Sequence, residues 1–248
     1  MSSPTSTGLV IPCFRESKRL PNFLPLLCQA LAEAESSVAI LLVDDGSGER
    51  EAESLSRLAE RLRATFPALL PPLLLTRHQG KGAAIRAGWD QLAPSHTWLA
   101  FIDADGAVSP RELLRLLQLQ GTESEAIFSS RRARPRRKVE RAFDRRLMGL
   151  VFHLLEKLLL DTGLSDTQCG CKMLPSSLWQ ALSPQARETQ FLFDIELAIL
   201  LQRAGVPIRE VPIDWQEVGG SRLHWSEPFR MAASLGALRH RLLGQERT

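Results

Sequence analysis

Two periods of apolar and polar residues alternate along the first part of the chain. Gly8 to Pro12 (GLVIP) and Val38 to Val43 (VAILLV) are short continuous apolar runs, the pattern of strands buried on both faces of a parallel sheet. Leu73 to Thr76 and Thr97 to Ile102 (TWLAFI) repeat it. Between these runs the period becomes helical. Pro21 to Ala34 lines up Phe23, Leu27, Ala30 and Leu31, and Arg50 to Phe66 lines up Leu55, Leu58, Ala59 and Leu62. Lys81 to Leu92 is a third helix. Strands alternating with helices predict βαβ units, right-handed crossovers and a mainly parallel central sheet flanked by helices, an α/β fold.

Farther along, Pro110 to Leu119 reads as a helix, Ala126 to Ser129 as a strand and Leu147 to Leu160 as a strongly apolar helix. Asp166 to Lys172 (DTQCGCK) reads as a polar turn, Phe193 to Ala204 as a helix, Val206 to Trp215 as extended chain and Glu227 to Leu243 as a last helix. The Ser/Thr/Pro-rich start predicts disorder over 1–7. One ordered domain is expected over 8–225, with a C-terminal helix and tail over 226–248.

Composition narrows the class. With 44% apolar and 24% charged residues in 248, the chain is globular rather than disordered. Cys13, Cys28, Cys169 and Cys171 have neither disulfide-scaffold nor zinc spacing, which points to a reduced, cytoplasmic setting. The first twelve residues lack the pattern of a secretory leader, and no apolar run is long enough to predict a spanning helix. Net charge is only +3, yet nine of the sixteen residues from Arg131 to Arg146 are Lys or Arg. This run is either a solvated face or a surface for phosphates, whether of a nucleotide, an anionic membrane or a nucleic acid. No nucleic-acid-binding module accompanies it, so nucleic acid is not expected as a partner.

The chemistry gathers where strands end. GLVIP leads into Cys13-Phe14-Arg15-Glu16, VAILLV into Asp44-Asp45-Gly46-Ser47, LLLT into His78-Gln79-Gly80-Lys81-Gly82, and TWLAFI into Asp103-Ala104-Asp105-Gly106. In open α/β sheets ligands bind beyond the carboxyl ends of the strands. Asp103 and Asp105, two apart in extended chain, face the same way and can share Mg²⁺ or Mn²⁺, hard ions that take oxygen ligands. Asp44 and Asp45 can accept hydrogen bonds from ribose or base, or cap the helix that follows. Gly80-Lys81-Gly82 can offer backbone N–H groups and a lysine to phosphate. Walker A spacing and GxGxxG are both absent, and the five histidines show no zinc spacing.

Together these motifs resemble family 2 glycosyltransferases. The resemblance rests on Ile11-Pro12 through Glu16, on Val43-Asp44-Asp45-Gly46-Ser47 and on Asp103-Ala104-Asp105. Gly80-Lys81-Gly82-Ala83-Ala84, Ser130-Arg131, Asp166-Thr167-Gln168-Cys169-Gly170 and Phe193-Asp194-Ile195-Glu196 look like the dolichyl-phosphate glucosyltransferase and polyprenyl-phosphate mannosyltransferase branch. The likeness spans about residues 8 to 222. It implies a Rossmann-like GT-A fold and inverting transfer of a hexose from a nucleotide diphosphate sugar, UDP-glucose first, to a polyprenyl phosphate. A soluble sugar or small-molecule acceptor, or a nucleotide-binding protein without turnover, are the alternative readings.

By the same resemblance, Asp103 and Asp105 hold the Mg²⁺ or Mn²⁺, and Asp44 contacts the nucleoside. Pro12, Glu16, Asp45, Gly80 and Lys81 complete the donor side. Arg131 and Arg222 contact phosphates, while Asp166, Gln168 and Lys172 line the sugar and acceptor side. Ala107 stands where the family sometimes has a third ligand, so water and diphosphate would complete the metal shell. Arg15 and His78 replace usual asparagines, and Cys171 replaces a usual aromatic. A lipid acceptor implies peripheral contact with the cytosolic face of an anionic membrane. Oligomeric state has no signal in the sequence.

Overall fold

The GLVIP run lies inside a seven-stranded sheet. In the computed structural model it forms β1 (Thr7–Cys13), paired in parallel with β2 (Val38–Asp44) on one side and β4 (Trp98–Ile102) on the other. The structure describes residues 6–121, 124–132, 139–140, 156, 158–216 and 227–244. Arg222, most of the basic run after Arg132 and most of the apolar stretch from Leu147 lie outside them.

Beside β2 lies the short β3 (Leu73–Leu74), also parallel. On the far side of β4 the order continues through β7 (Cys171–Pro175) and β5 (Ala126–Ser130) to β8 (Ile208–Pro212). β5 and β8 are parallel to each other, and β7 runs antiparallel to both β4 and β5. A separate parallel pair joins β6 (Val139–Glu140) to β9 (Trp215–Gln216). The expected mainly parallel sheet is therefore present, with one antiparallel strand that the sequence pattern did not suggest.

The continuous apolar runs follow from burial on both faces. Leu9, Ile11, Ile40 and Leu42 point into one core layer, and Val10, Leu41 and Val43 into the other. The first layer packs under α1 (Leu20–Glu33), α2 (Glu49–Arg63) and α4 (Pro110–Leu117). The second packs under α3 (Lys81–Leu92), α5 (Ser176–Leu182) and α6 (Phe193–Arg203), around Trp89, Trp179 and Phe193. Leu235, Leu238 and Leu242 of α7 (Glu227–Gly244) cover the outer side of α6 at Leu192, Ile195 and Ile199. This is why α6 is buried nearly all round from Phe193 to Leu201. The helices expected over 21–34, 50–66, 81–92, 110–119, 193–204 and 227–243 are present, with ends shifted by at most three residues, and the one expected over 147–160 lies mostly outside the described residues.

One expectation needs correcting. Asp166 to Lys172 was expected to be a polar turn, but its last two residues, Cys171 and Lys172, open β7, all five of whose residues are buried. Lys172 disguises the strand because a lysine interrupts the apolar signal, and its charge is compensated inside the core.

Candidate active site

The carboxyl ends of β1, β2 and β4 bring the acidic clusters to one rim of the sheet. Asp44 is buried and its Oδ2 accepts the N–H of Ser47 at 3.0 Å, which closes the turn after β2. Ser47 Oγ in turn accepts the N–H of Arg15 at 2.9 Å, joining the loops after β1 and β2. Arg15 sits in the left-handed region at φ 57°. Asparagine tolerates that region better than most residues.

Asp45 holds the glycine loop. Its carboxylate accepts the N–H groups of Gln79 (2.8 Å) and Gly80 (2.7 Å), and His78 Nδ1 lies 2.8 Å from it. His78 also stacks on Phe14, with ring centroids 4.0 Å apart. Gly80 has φ 111°, and a Cβ there would lie 2.4 Å from the Thr189 carbonyl oxygen. The loop thus needs glycine both for its backbone conformation and for space. It delivers Lys81 to the first turn of α3.

Lys81 Nζ lies 2.8 Å from Asp103 Oδ1, 3.7 Å from Asp194 Oδ2 and 4.9 Å from the centre of the Phe101 ring. Burial disfavours its charge, but Asp103 and Asp194 more than reverse this and hold it protonated. Asp194 also accepts from Lys172 Nζ at 2.5 Å, while Lys172 donates to the Cys169 carbonyl at 2.8 Å between the rings of Phe101 and Phe128. Lys172, fully buried, therefore reaches the rim through Asp194 and Lys81, in a chain of alternating charge that ends on Asp103. Unpaired, such a buried cation would be strongly destabilising.

Asp105 Oδ1 accepts the N–H of Ala107 at 3.0 Å. Burial pushes its carboxyl up, and the charge of Asp103 pushes it further. Burial raises the Glu16 carboxyl too; Arg19, which hydrogen-bonds it, pulls it back, and Asp105 and Asp103 add to the rise. Three carboxylates thus interact at one partly desolvated rim, where a divalent cation would relieve their repulsion. Among the described residues, no group of three or more His, Cys, Asp and Glu side chains is placed to hold a metal ion. The all-oxygen donor set fits a Mg²⁺ or Mn²⁺ whose remaining positions go to water and ligand oxygens. Asp103 is seated by its N–H on the Gly170 carbonyl (2.9 Å), and a Cβ at Gly170 would come within 2.1 Å of its Oδ2.

Across the sheet, β5 leads into Arg131. Its backbone N–H, Nε and Nη2 donate to Asp166 at 2.7, 2.8 and 2.7 Å. Burial pushes the Asp166 carboxyl up, but these hydrogen bonds and the charge of Arg131 prevail and hold it at about 2. The Arg131 guanidinium also lies 5.8 Å from the Trp215 ring. Glu210 on β8 accepts the N–H and Oγ of Ser165 and the N–H of Asp166, which fixes the loop bearing Asp166. Gln168 Nε2 donates to the Phe191 carbonyl at 3.3 Å, beside the exposed Phe191 ring. Pro12 is half-buried at the end of β1, opposite Val43.

The expected donor-side and metal residues thus share one rim. Arg131 and Asp166 pair with each other at the end of β5, and Arg222 lies outside the described residues. Sequence reading missed His78, Glu210 and the bridging position of Asp194. His78 showed only as a departure from the family pattern. Glu210 carries no signal, because one glutamate in a half-exposed strand is ordinary. Asp194 bridges two lysines, and Glu196 is buried against backbone N–H groups and Arg241.

The profile described as glycosyl transferase family 2 matches residues 9–182, from β1 through α5. The chain belongs to glycosyl transferase family 2. Among curated proteins, this family 2 chain is 31% identical over 239 residues to dolichyl-phosphate beta-glucosyltransferase ALG5D of Trichomonas vaginalis, covering 92% of this chain and 71% of that one. It is 28% identical to the human dolichyl-phosphate beta-glucosyltransferase, covering 90% and 72%. Among solved structures, glucosyl-3-phosphoglycerate synthase of Mycobacterium tuberculosis, in complex with Mn²⁺, UDP and phosphoglyceric acid, superposes with a TM-score of 0.67 at 17% identity, covering 96% of this chain and 78% of that one. Mannosyl-3-phosphoglycerate synthase of Rubrobacter xylanophilus gives 0.63 at 17%, covering 98% and 75%. The fold of this family 2 chain is thus that of the GT-A glycosyltransferases.

Proposed function

We propose that this chain moves a hexose from a nucleotide diphosphate sugar, UDP-glucose first, to a polyprenyl phosphate, with inversion at the anomeric carbon. The observation that carries this reading is its similarity, over nine-tenths of its length, to dolichyl-phosphate beta-glucosyltransferases. The geometry supports it: an acidic rim with a lysine suits a diphosphate leaving group, and an arginine held by a carboxylate suits a second phosphate.

Asp103 and Asp105 would hold Mg²⁺ or Mn²⁺, with Glu16 close by. When bound, such an ion neutralises charge on the departing diphosphate. Lys81 and the N–H groups at the start of α3 add positive potential on the same side. Asp44 is the nucleoside contact in this reading. Asp45 acts through the glycine loop that it holds, and Pro12 shapes the wall where β1 ends.

On the acceptor side, Arg131 aligns the phosphate, and Asp166 holds the guanidinium in one orientation. Gln168 faces the sugar, Lys172 sets Asp194 and Lys81 from below, and Arg222 belongs to the phosphate contacts by family resemblance. An acceptor phosphate oxygen forms the new bond to the anomeric carbon as the bond to the diphosphate oxygen breaks, and the nucleoside diphosphate leaves. A phosphate monoester is already anionic near neutral pH, so no general base is required to activate it.

The test is a panel of UDP- and GDP-sugars offered with a polyprenyl phosphate and Mg²⁺ or Mn²⁺, read by product mass and by the anomeric configuration of the product. A single favoured donor and an inverted hexosyl lipid phosphate are expected. Retention of configuration, or transfer only to soluble acceptors, would overturn the proposal.

A further inference from the structure

The glycine loop at 79–83 is braced from behind by the segment at 187–190. The Thr189 carbonyl accepts the N–H of Ala83 at 3.0 Å, and Gln190 Nε2 donates to the Gln79 carbonyl at 2.8 Å. The packing is close: a Cβ on Gly82 would lie 2.9 Å from the Thr189 carbonyl carbon and 3.0 Å from the Gln190 carbonyl oxygen. Any shift of 187–190 therefore moves the loop that carries Lys81.

That segment is pinned by one buried carboxylate. Glu196 on α6 is fully buried, and its Oε2 accepts the N–H groups of Arg187 (2.9 Å) and Glu188 (2.7 Å). Its other oxygen accepts from Arg241 Nη2 at 2.8 Å, and the same Nη2 reaches Glu188 Oε2 at 3.2 Å. Arg241 lies in the last turn of α7. A buried carboxylate keeps its charge only when a cation and donors compensate it, and Arg241 supplies that cation from the far end of the chain. Arg241 Nε is buried and finds no hydrogen-bond partner among the described residues.

We infer that Arg241 is a positioning residue for donor binding: through Glu196 and the 187–190 segment it fixes the glycine loop in its binding conformation. The inference rests on the proposed assignment of that loop to the donor diphosphate. It makes α7 a coupling element, so whatever loosens the C-terminal helix weakens the hold on the nucleotide.

The experiment is titration calorimetry of the full chain with UDP and with GDP in the presence of Mn²⁺, alongside steady-state kinetics. Arg241→Met is expected to raise the Kd of the preferred nucleotide about tenfold, with kcat at saturating donor held within about twofold. Arg241→Lys restores part of the affinity, because it keeps the charge without the fork. Arg203→Met serves as the control: Arg203 Nη2 donates to the Leu242 carbonyl at 3.1 Å and ties the same helix to α6 without touching Glu196. Its nucleotide Kd is expected to match wild type even if its melting temperature falls. Unchanged affinity in Arg241→Met, or equal losses in both methionine variants, overturns the inference. Binding of neither nucleotide by wild type overturns instead the donor assignment on which it rests.

Discussion

At Asp105 the demands of binding and of folding oppose each other. Its carboxyl is pushed up by burial and by Asp103, so in the ligand-free protein its charge is a liability. Asp105→Asn is therefore expected to melt no lower than wild type, while losing the rise in melting temperature that Mn²⁺ with UDP gives by mass action. Differential scanning fluorimetry checks this, and an undiminished rise in the variant would remove Asp105 from the metal site. Asp166 behaves in the opposite way. Its carboxyl is held at about 2, below the ordinary value near 3.9, so its contribution is complete above about pH 4 and drains away toward pH 2. Urea titrations should show wild type losing about 2 kcal/mol more than Asp166→Asn across that window. The acidic pair was legible because both residues follow a buried strand at a spacing of two. The Arg131–Asp166 pair was legible only as two separate motifs, since nothing in a sequence brings residues 35 apart into contact.

Among the elements, β7 shows where pattern reading stops. Its sequence, CKMLP, holds a lysine and a proline, and the apolar signal does not survive them. The strand forms because Asp194 compensates Lys172 and because β4 and β5 offer ladders on both sides. The parallel strands were legible for the opposite reason, being uninterrupted runs with both faces covered. The entry to β7 also carries a prediction. Gly170→Ala places a Cβ within 2.1 Å of Asp103 Oδ2 and 2.5 Å of its Cγ. Overpacking of this kind costs about 1–3 kcal/mol, and here the group that must move is a proposed metal ligand. Nucleotide affinity with Mn²⁺ is expected to fall further than stability does, as calorimetry and urea unfolding on one preparation would show. Wild-type affinity in Gly170→Ala would mean that Asp103 can shift without consequence.

For the molecule as a whole, the question is how the chain would meet the lipid acceptor proposed for it. No helix among the described residues is long and apolar enough to cross a membrane. The run from Arg131 to Arg146 supplies nine cations, each worth about 1 kcal/mol near an anionic surface before screening. In the described part of that run, Arg131 faces Asp166 and Arg132 Nε donates to the Ser165 carbonyl, so two of the nine are already engaged. Co-sedimentation should show binding to anionic vesicles at low salt and weak binding to neutral ones. Release is expected at 1 M salt, where the screening length shrinks from roughly 10 Å at 0.1 M to 3 Å. Absence of low-salt binding would shift weight to a soluble acceptor. The central claim is tested most directly by partition of labelled sugar. Purified chain, UDP-glucose labelled in the glucose, a polyprenyl phosphate and Mn²⁺ are incubated and extracted with organic solvent. The account predicts label in the organic phase that requires the lipid phosphate and disappears with excess chelator. Label that stays in the aqueous phase whatever lipid is supplied, or lipid labelling at full rate in chelator, would contradict it.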